Sequence, residues 1–151
     1  MEITKANLDD LNAVKRCVEA AYRDYETTIG VSPGPLHDDY EELIRSGHVW
    51  TCKDAQGRVA GILVLFVLDD CLLLDNVAVF PQWQGSGIAG HFQDVAIREA
   101  RARGLGKMRL YTHQKMTALI QMYQDHGWIE TERRREAGYD RVYMEKEIRE
   151  E

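Results

Sequence analysis

Six consecutive residues, Gly85-Ser86-Gly87-Ile88-Ala89-Gly90, carry the strongest chemical signal in the chain. Glycines let backbone N–H groups approach a ligand closely, and a helix start adds unpaired donors with a partial positive charge. That combination suits a phosphate or a diphosphate. For the glycines alone, a tight strand-to-helix turn with nothing bound is the plainer reading. A P-loop is excluded, because no Gly-Lys-Ser/Thr follows. The letters also fit G-x-G-x-x-G, but that turn should open the first strand-to-helix unit, with an acid about 20 residues on. Here the glycines stand mid-chain, and the strand after their helix ends in Thr112-His113 without a carboxylate. The dinucleotide reading fails.

Candidates for proton transfer are few. Tyr123 shares helical spacing with Leu119 and Met122, which by itself describes a core tyrosine. Asp75 stands in an apolar strand, where the two-residue period puts it on one face with Val77 and Val79. Taken locally, it could equally sit at a bulge or pair with a neighbour. His113 ends the following strand, and a lone histidine is more often structural than catalytic. Cys17, Cys52 and Cys71 form no C-x-x-C pair, and the five histidines are scattered, so no metal-ligand spacing exists. The cysteines read as buried thiols in a reducing compartment.

These residues need elements to hold them. A short strand opens the chain. Asn7 and Asp10 then cap a helix carrying Leu11, Val14, Val18, Ala21 and Tyr22, with Tyr25 and Glu26 at its end. Residues 29–35 hold two prolines and two glycines and must be a loop. Asp38 is placed to cap a second helix carrying Tyr40, Leu43 and Ile44, ended by Gly47. Three strands follow, at 49–53, 59–67 and 71–80, as an antiparallel meander. A helix over 88–103 leads to a strand over 107–112, a connection that implies parallel pairing. A helix over 117–126 and a hairpin over 128–146 close the chain. The pattern predicts one α+β domain over residues 1–151. Its mixed, mostly antiparallel sheet has about six to seven strands, flanked by about four helices.

Composition narrows the partners. With 19 basic and 25 acidic residues the chain carries a formal charge of −6, which argues against nucleic acid bound through a basic face. The longest apolar run, residues 59–68, is half of what a membrane-spanning helix needs. The start has no basic segment followed by an apolar run, so no signal peptide is visible. A cytoplasmic domain is expected.

Taken whole, Val77-Ala78-Val79-Phe80-Pro81-Gln82-Trp83-Gln84-Gly85-Ser86-Gly87-Ile88-Ala89 resembles motif A of the GNAT superfamily, the acyl-CoA-dependent N-acyltransferases. Gln84, Gly87 and Ala89 match its Gln/Arg-x-x-Gly-x-Gly/Ala signature. Met122-Tyr123-Gln124-Asp125-His126-Gly127-Trp128 is similar to the family's Leu-Tyr-x-x-x-Gly-Phe, and the order of elements agrees over nearly the full chain.

The resemblance implies an N-acetyltransferase using acetyl-CoA, with no metal, and an acceptor that is an amine of a small molecule or a protein. Backbone N–H groups of Gln84, Gly85, Ser86, Gly87, Ile88 and Ala89 would cradle the coenzyme's diphosphate. Main-chain groups of Val77 and Val79 would pair with its pantetheine arm like an added strand. The N–H near Val77 or Ala78 would stabilise the oxyanion. Tyr123 falls at the family's general acid, and Asp75 or an ordered water would be the base. Tyr22, Tyr25 and Glu26 would border the acceptor cleft. The chain departs from the family in having Met116 or Leu119 where an asparagine is frequent, which removes one polar contact to the cofactor. Pairing of two subunits through the C-terminal strands is compatible with the resemblance. A non-catalytic acyl-CoA-binding module and an interaction domain with a closed slot are the alternatives, since fold does not fix function.

Overall fold

Alternating apolar residues between positions 49 and 79 build the centre of a seven-stranded sheet in this computed structural model, which describes residues 1–23, 25–30 and 32–149, apart from the side chain of Glu26. β1 (Glu2–Lys5), β2 (Val49–Lys53), β3 (Val59–Val67) and β4 (Leu72–Val79) pair antiparallel in that order. β4 meets β5 (Lys107–His113) in parallel, as its helical connection requires. β6 (Ile129–Glu136) and β7 (Tyr139–Glu147) form the closing hairpin, with β7 between β5 and the edge strand β6.

Helices cover both faces. α1 (Leu11–Tyr22) and α3 (Tyr40–Arg45) pack on one side, where Val14, Cys17, Val18, Tyr40 and Ile44 are buried against Val49, Ile62, Val64 and Ala78. α4 (Ile88–Ala102) and α5 (Thr117–Asp125) pack on the other, around Phe92, Leu63, Leu72, Met108 and Trp128. Gly61 lets α4 approach: a Cβ there would lie 3.1 Å from the Ala78 carbonyl oxygen and from the Phe92 ring.

The expected cap at Asn7 is present. Its side chain accepts from the Asp9 N–H at 2.9 Å, and its own N–H donates to Asp10 at 3.0 Å. Two local expectations are corrected. The first helix stops at Tyr22, and Tyr25 begins a separate short helix, α2 (Tyr25–Ile29), the addition to the expected four. Asp39, not Asp38, caps α3, accepting from the Glu42 N–H at 3.2 Å. The carboxylate of Asp38 is thereby left out of the cap.

Candidate active site

The central pair of strands comes apart. β4 and β5 pair only at Leu72–Met108 and Leu73–Arg109, although β4 runs on to Val79 and β5 to His113. The cause lies in the register with β3, where Val64 faces Asn76 but the next residue, Leu65, faces Leu74. Asp75 is the extra residue of a β-bulge, a device that bends a strand and ends its pairing.

The bulge also shifts which side chains face which layer. Leu72 and Leu74 are buried with α4, whereas Ala78 is buried with α1. Val77 and Val79 pack on the α4 side. Asp75 therefore does not share the face of Val77 and Val79, as a uniform two-residue period requires; the inserted residue resets the alternation. A cleft of about 560 Å³ opens where the strands part, and Asp75, Val77, Val79, Gln84, Ala89, Tyr123, Tyr22 and Tyr25 all line it.

One wall of the cleft is a free strand edge. The Phe80 N–H donates to the Ala60 carbonyl at 3.0 Å. In an antiparallel ladder the paired residues alternate, so Val79 and Val77 turn their N–H and C=O groups away from β3, toward the opening. The Gln84 side-chain amide donates to the Val79 carbonyl at 3.2 Å, occupying an acceptor that an added strand would use. Ala78 is oriented otherwise. Its main chain faces β3, and its carbonyl accepts from the Cys17 thiol at 3.5 Å. Burial pushes that thiol up to about 12, which keeps it protonated.

Next to this edge, Gly85 and Gly87 hold φ values of +82° and +91°, with Gly87 in the cap position of α4. No side chain caps that helix, and a Cβ added at Gly85, Gly87 or Gly90 would meet nothing within 4 Å. The Gln84 and Ser86 N–H groups close turns on Pro81 and Trp83 at 3.3 Å each. Among the described residues, no hydrogen bond uses the N–H groups of Gly85, Gly87, Ile88 or Ala89. The Ile88 side chain is buried in the core, so only its backbone is available. An open, uncapped helix start of this kind fits a diphosphate.

Tyr123, on α5, is 6% exposed, and its ring packs edge-on against Trp128 at 5.5 Å. Its hydroxyl borders the cleft and has no hydrogen-bond partner among the described residues. Burial, and next the proximity of Tyr25, push its pKa well above the ordinary phenol value, so it stays a proton donor. Burial also raises Asp75, helped by repulsion from Asp38 and opposed by Arg141, to about 6. A carboxylate there is ionised at neutral pH yet more basic than usual, as a general base should be. Burial lowers His113, whose Nδ1 accepts from the Lys115 N–H at 3.2 Å.

Tyr22 is held by a chain of hydrogen bonds that no local pattern announces. Its hydroxyl donates to Asn76 Oδ1 at 2.5 Å, Asn76 Nδ2 donates to the Tyr40 hydroxyl at 3.1 Å, and Tyr40 donates to the Pro35 carbonyl at 2.6 Å. Asn76 is 3% exposed, and its signal was a lone amide in an apolar strand. Tyr25 meets the Tyr22 ring edge-on at 4.8 Å. The Glu26 side chain lies outside the described residues. Asp38, read from the sequence only as a helix cap, also lines the cleft, as do Tyr111, Tyr139 and Arg141, which the sequence did not single out. Met116, Leu119 and Met122 give it an apolar wall.

The model of the acetyltransferase (GNAT) family matches residues 14–128. The chain belongs to this family. Comparison with curated protein sequences gives no match. Among solved structures, the GNAT domain is similar to the Escherichia coli ribosomal-protein-S18-alanine N-acetyltransferase, with 20% identity, TM-score 0.75, and 97% and 93% of the two chains covered. It is also similar to a GNAT-family acetyltransferase from Staphylococcus aureus, with 14% identity, TM-score 0.78, and 98% and 99% covered. A third is the PaiA N-acetyltransferase of Thermoplasma acidophilum, solved with coenzyme A, with 17% identity, TM-score 0.75, and 97% and 98% covered. These structures carry the α+β fold. Membership makes the chain an acyltransferase of a family that uses acetyl-CoA. No helix of the described residues is long and apolar enough to cross a membrane.

If Asp75 acts as base, the GNAT reaction needs its ionised form, which is lost as pH falls through about 6. We expect kcat/KM to drop about tenfold per pH unit below that value, and the limb to vanish with the residual activity of Asp75→Asn. A raised carboxyl pKa favours the fold when protonated, a contribution lost as pH rises through about 6. Asp75→Asn is therefore expected to melt higher than the parent at pH about 8 while turning over more slowly. A flat acid limb in the parent enzyme would remove Asp75 from the base role.

Proposed function

We propose that this GNAT protein transfers an acetyl group from acetyl-CoA to a primary amine of a small molecule or protein, by direct attack in a ternary complex. Gly85, Gly87, Ile88 and Ala89 would hold the diphosphate through backbone N–H groups, with Gln84 and Ser86 shaping the turn. Val77 and Val79 would hold the pantetheine amides along the free edge of β4. Acetyl-CoA supplies the thioester carbonyl, where the amine's C–N bond forms and the C–S bond breaks. Asp75 takes the proton from the attacking amine, and the Tyr123 hydroxyl donates one to the departing sulfur. The proton on Asp75 then returns to Tyr123 through solvent, so the products are an amide and a free thiol. The N–H of Val77, aimed into the opening, would stabilise the developing oxyanion.

One observation carries this reading: an unpaired phenol, a carboxyl of raised basicity and a free strand edge line a single cleft. A module that only bound acyl-CoA would need neither of the first two groups. The three cysteines are buried and free, in keeping with a cytoplasmic home, and residues 1–151 serve as one domain. The test is release of coenzyme A thiol from acetyl-CoA across a panel of amines. Thiol release that depends on amine is expected, with a rise in melting temperature on adding coenzyme A. Thermal stabilisation with no thiol release from any amine would favour the binding module instead.

A further inference from the structure

Three elements meet at one buried amide. Asn76 directly follows the bulge in β4 and reaches Tyr22 at the end of α1 and Tyr40 at the start of α3. The layer that holds Tyr40 is mostly apolar, with Val18, Ile44 and Val64, so the amide stands there at a desolvation cost its hydrogen bonds must offset. The direction of every bond in this network is fixed from one end. The Pro35 carbonyl can only accept, so the Tyr40 hydroxyl gives its single proton there. The Tyr40 oxygen then accepts from Asn76, which turns Nδ2 toward Tyr40 and Oδ1 toward Tyr22. A flipped amide would set Oδ1 against a Tyr40 oxygen with no proton left. An amide oxygen also only accepts, so the Tyr22 proton is committed inward.

Tyr22 and Asn76 both line the cleft, together with Asp75 and Tyr123. Burial pushes the Tyr22 phenol well above its ordinary value, and nearby Tyr25, Tyr123, Tyr40 and Asp75 add to the effect, so it keeps its one proton. The hydroxyl makes no further hydrogen bond among the described residues. With its proton held by Asn76, what it has left to offer is a lone pair.

We propose that Asn76 is a positioning residue, holding the Tyr22 hydroxyl so that its oxygen accepts an N–H from the attacking amine. This rests on the acetyl-transfer reading and adds to it the group that orients the nucleophile. A primary amine has one lone pair and two N–H bonds. One proton passes to Asp75 as the C–N bond forms, and the other stays on nitrogen, bonded to Tyr22. With both N–H bonds engaged, the lone pair is directed at the thioester carbonyl. A secondary amine has a single N–H, which Asp75 must take, so its second carbon meets the Tyr22 oxygen instead. The arrangement therefore selects primary over secondary amines.

Butylamine and N-methylbutylamine, each at saturating acetyl-CoA, test this through kcat/KM for thiol release. The parent enzyme is expected to favour butylamine by about tenfold or more, as for one hydrogen bond lost with its acceptor left buried. Asn76→Leu nearly keeps the side chain's size but frees the Tyr22 proton to turn into the cleft, where it opposes the amine's N–H. That variant and Tyr22→Phe are each expected to lower kcat/KM for butylamine by about tenfold and to shrink the preference, with acetyl-CoA affinity within about twofold of the parent. Combined, they are expected to fall no further than either alone, because Asn76 acts through Tyr22. Tyr40→Phe keeps its ring yet releases the amide to turn, and is expected to shrink the preference too, which covers the case that Asn76→Leu does not fold. A role confined to holding α1 against β4 would slow both amines alike. Equal use of the two amines by the parent, or an unchanged preference in any folded variant, overturns the assignment while leaving acetyl transfer standing. Thiol release from neither amine overturns it as well, and calorimetry with acetyl-CoA then decides whether the acetyl-transfer reading falls too.

Discussion

Replacing Tyr123 by phenylalanine is expected to lower kcat by about 10²-fold or more, the ordinary contribution of a positioned acid, with coenzyme A affinity within about twofold of the parent. The substitution keeps the ring and its edge contact with Trp128 at 5.5 Å, so the packing of α5 is undisturbed. It removes a hydroxyl that no protein group satisfies, so the melting temperature is expected to hold or rise slightly. What the proposed role would lose is the proton for the leaving sulfur. A thiolate with an ordinary pKa near about 8.5 departs poorly from a tetrahedral centre unless a donor waits beside it. Because burial holds the phenol protonated throughout the neutral range, no alkaline limb of the rate profile below pH about 9 should be assigned to it. The same residue read as plain core would give Tyr123→Phe full turnover at saturating substrates, and that result would end its catalytic role.

The parts legible in the sequence were those whose cause is local. β2 and β3 begin and end where alternation and the Asp54–Gly57 turn place them, because strand period and turn chemistry act over a few residues. The glycine turn was legible for the same reason: Gly85 and Gly87 stand at positive φ because the route into α4 demands it. Asp75 shows where such reading stops. One extra residue in β4 turns a regular apolar alternation into a bend, and the facing of every residue after it changes. The sequence left a bulge at Asp75 as one reading beside a local pairing and a shared face with Val77 and Val79, because the insertion exists only relative to the register of β3. The acceptor wall was equally hidden. Tyr139 donates to the Ser32 carbonyl at 2.7 Å across more than a hundred residues of chain, and Arg141 arrives with it. Even Asp38 and Asp39, adjacent and alike in type, part company by their backbone: both line the cleft, but only Asp39 enters the cap.

The largest effect on coenzyme binding is expected from Gly87→Val, with a loss of at least about 10²-fold in acetyl-CoA affinity by calorimetry, as when two charged hydrogen bonds are removed. At φ +91° a β-branched residue is strained, and the backbone must move toward negative φ to accommodate it. That movement re-aims the N–H groups at the start of α4, while the new methyls enter the space where a diphosphate would sit. The protein itself offers no obstacle, since nothing lies within 4 Å of the added Cβ, so loss of binding does not depend on a clash in the core. Strain of about 1–2 kcal/mol lies within the stability of an ordinary domain, and the variant is expected to fold. Gly57→Val supplies the control. Gly57 has φ +78° with nothing within 4 Å, but it belongs to the β2–β3 turn and borders no part of the proposed coenzyme site. It should show a comparable fall in melting temperature with acetyl-CoA affinity retained. Parental affinity in folded Gly87→Val would mean that the diphosphate is held elsewhere, and the proposed roles of β4 and Tyr123 would lose their anchor.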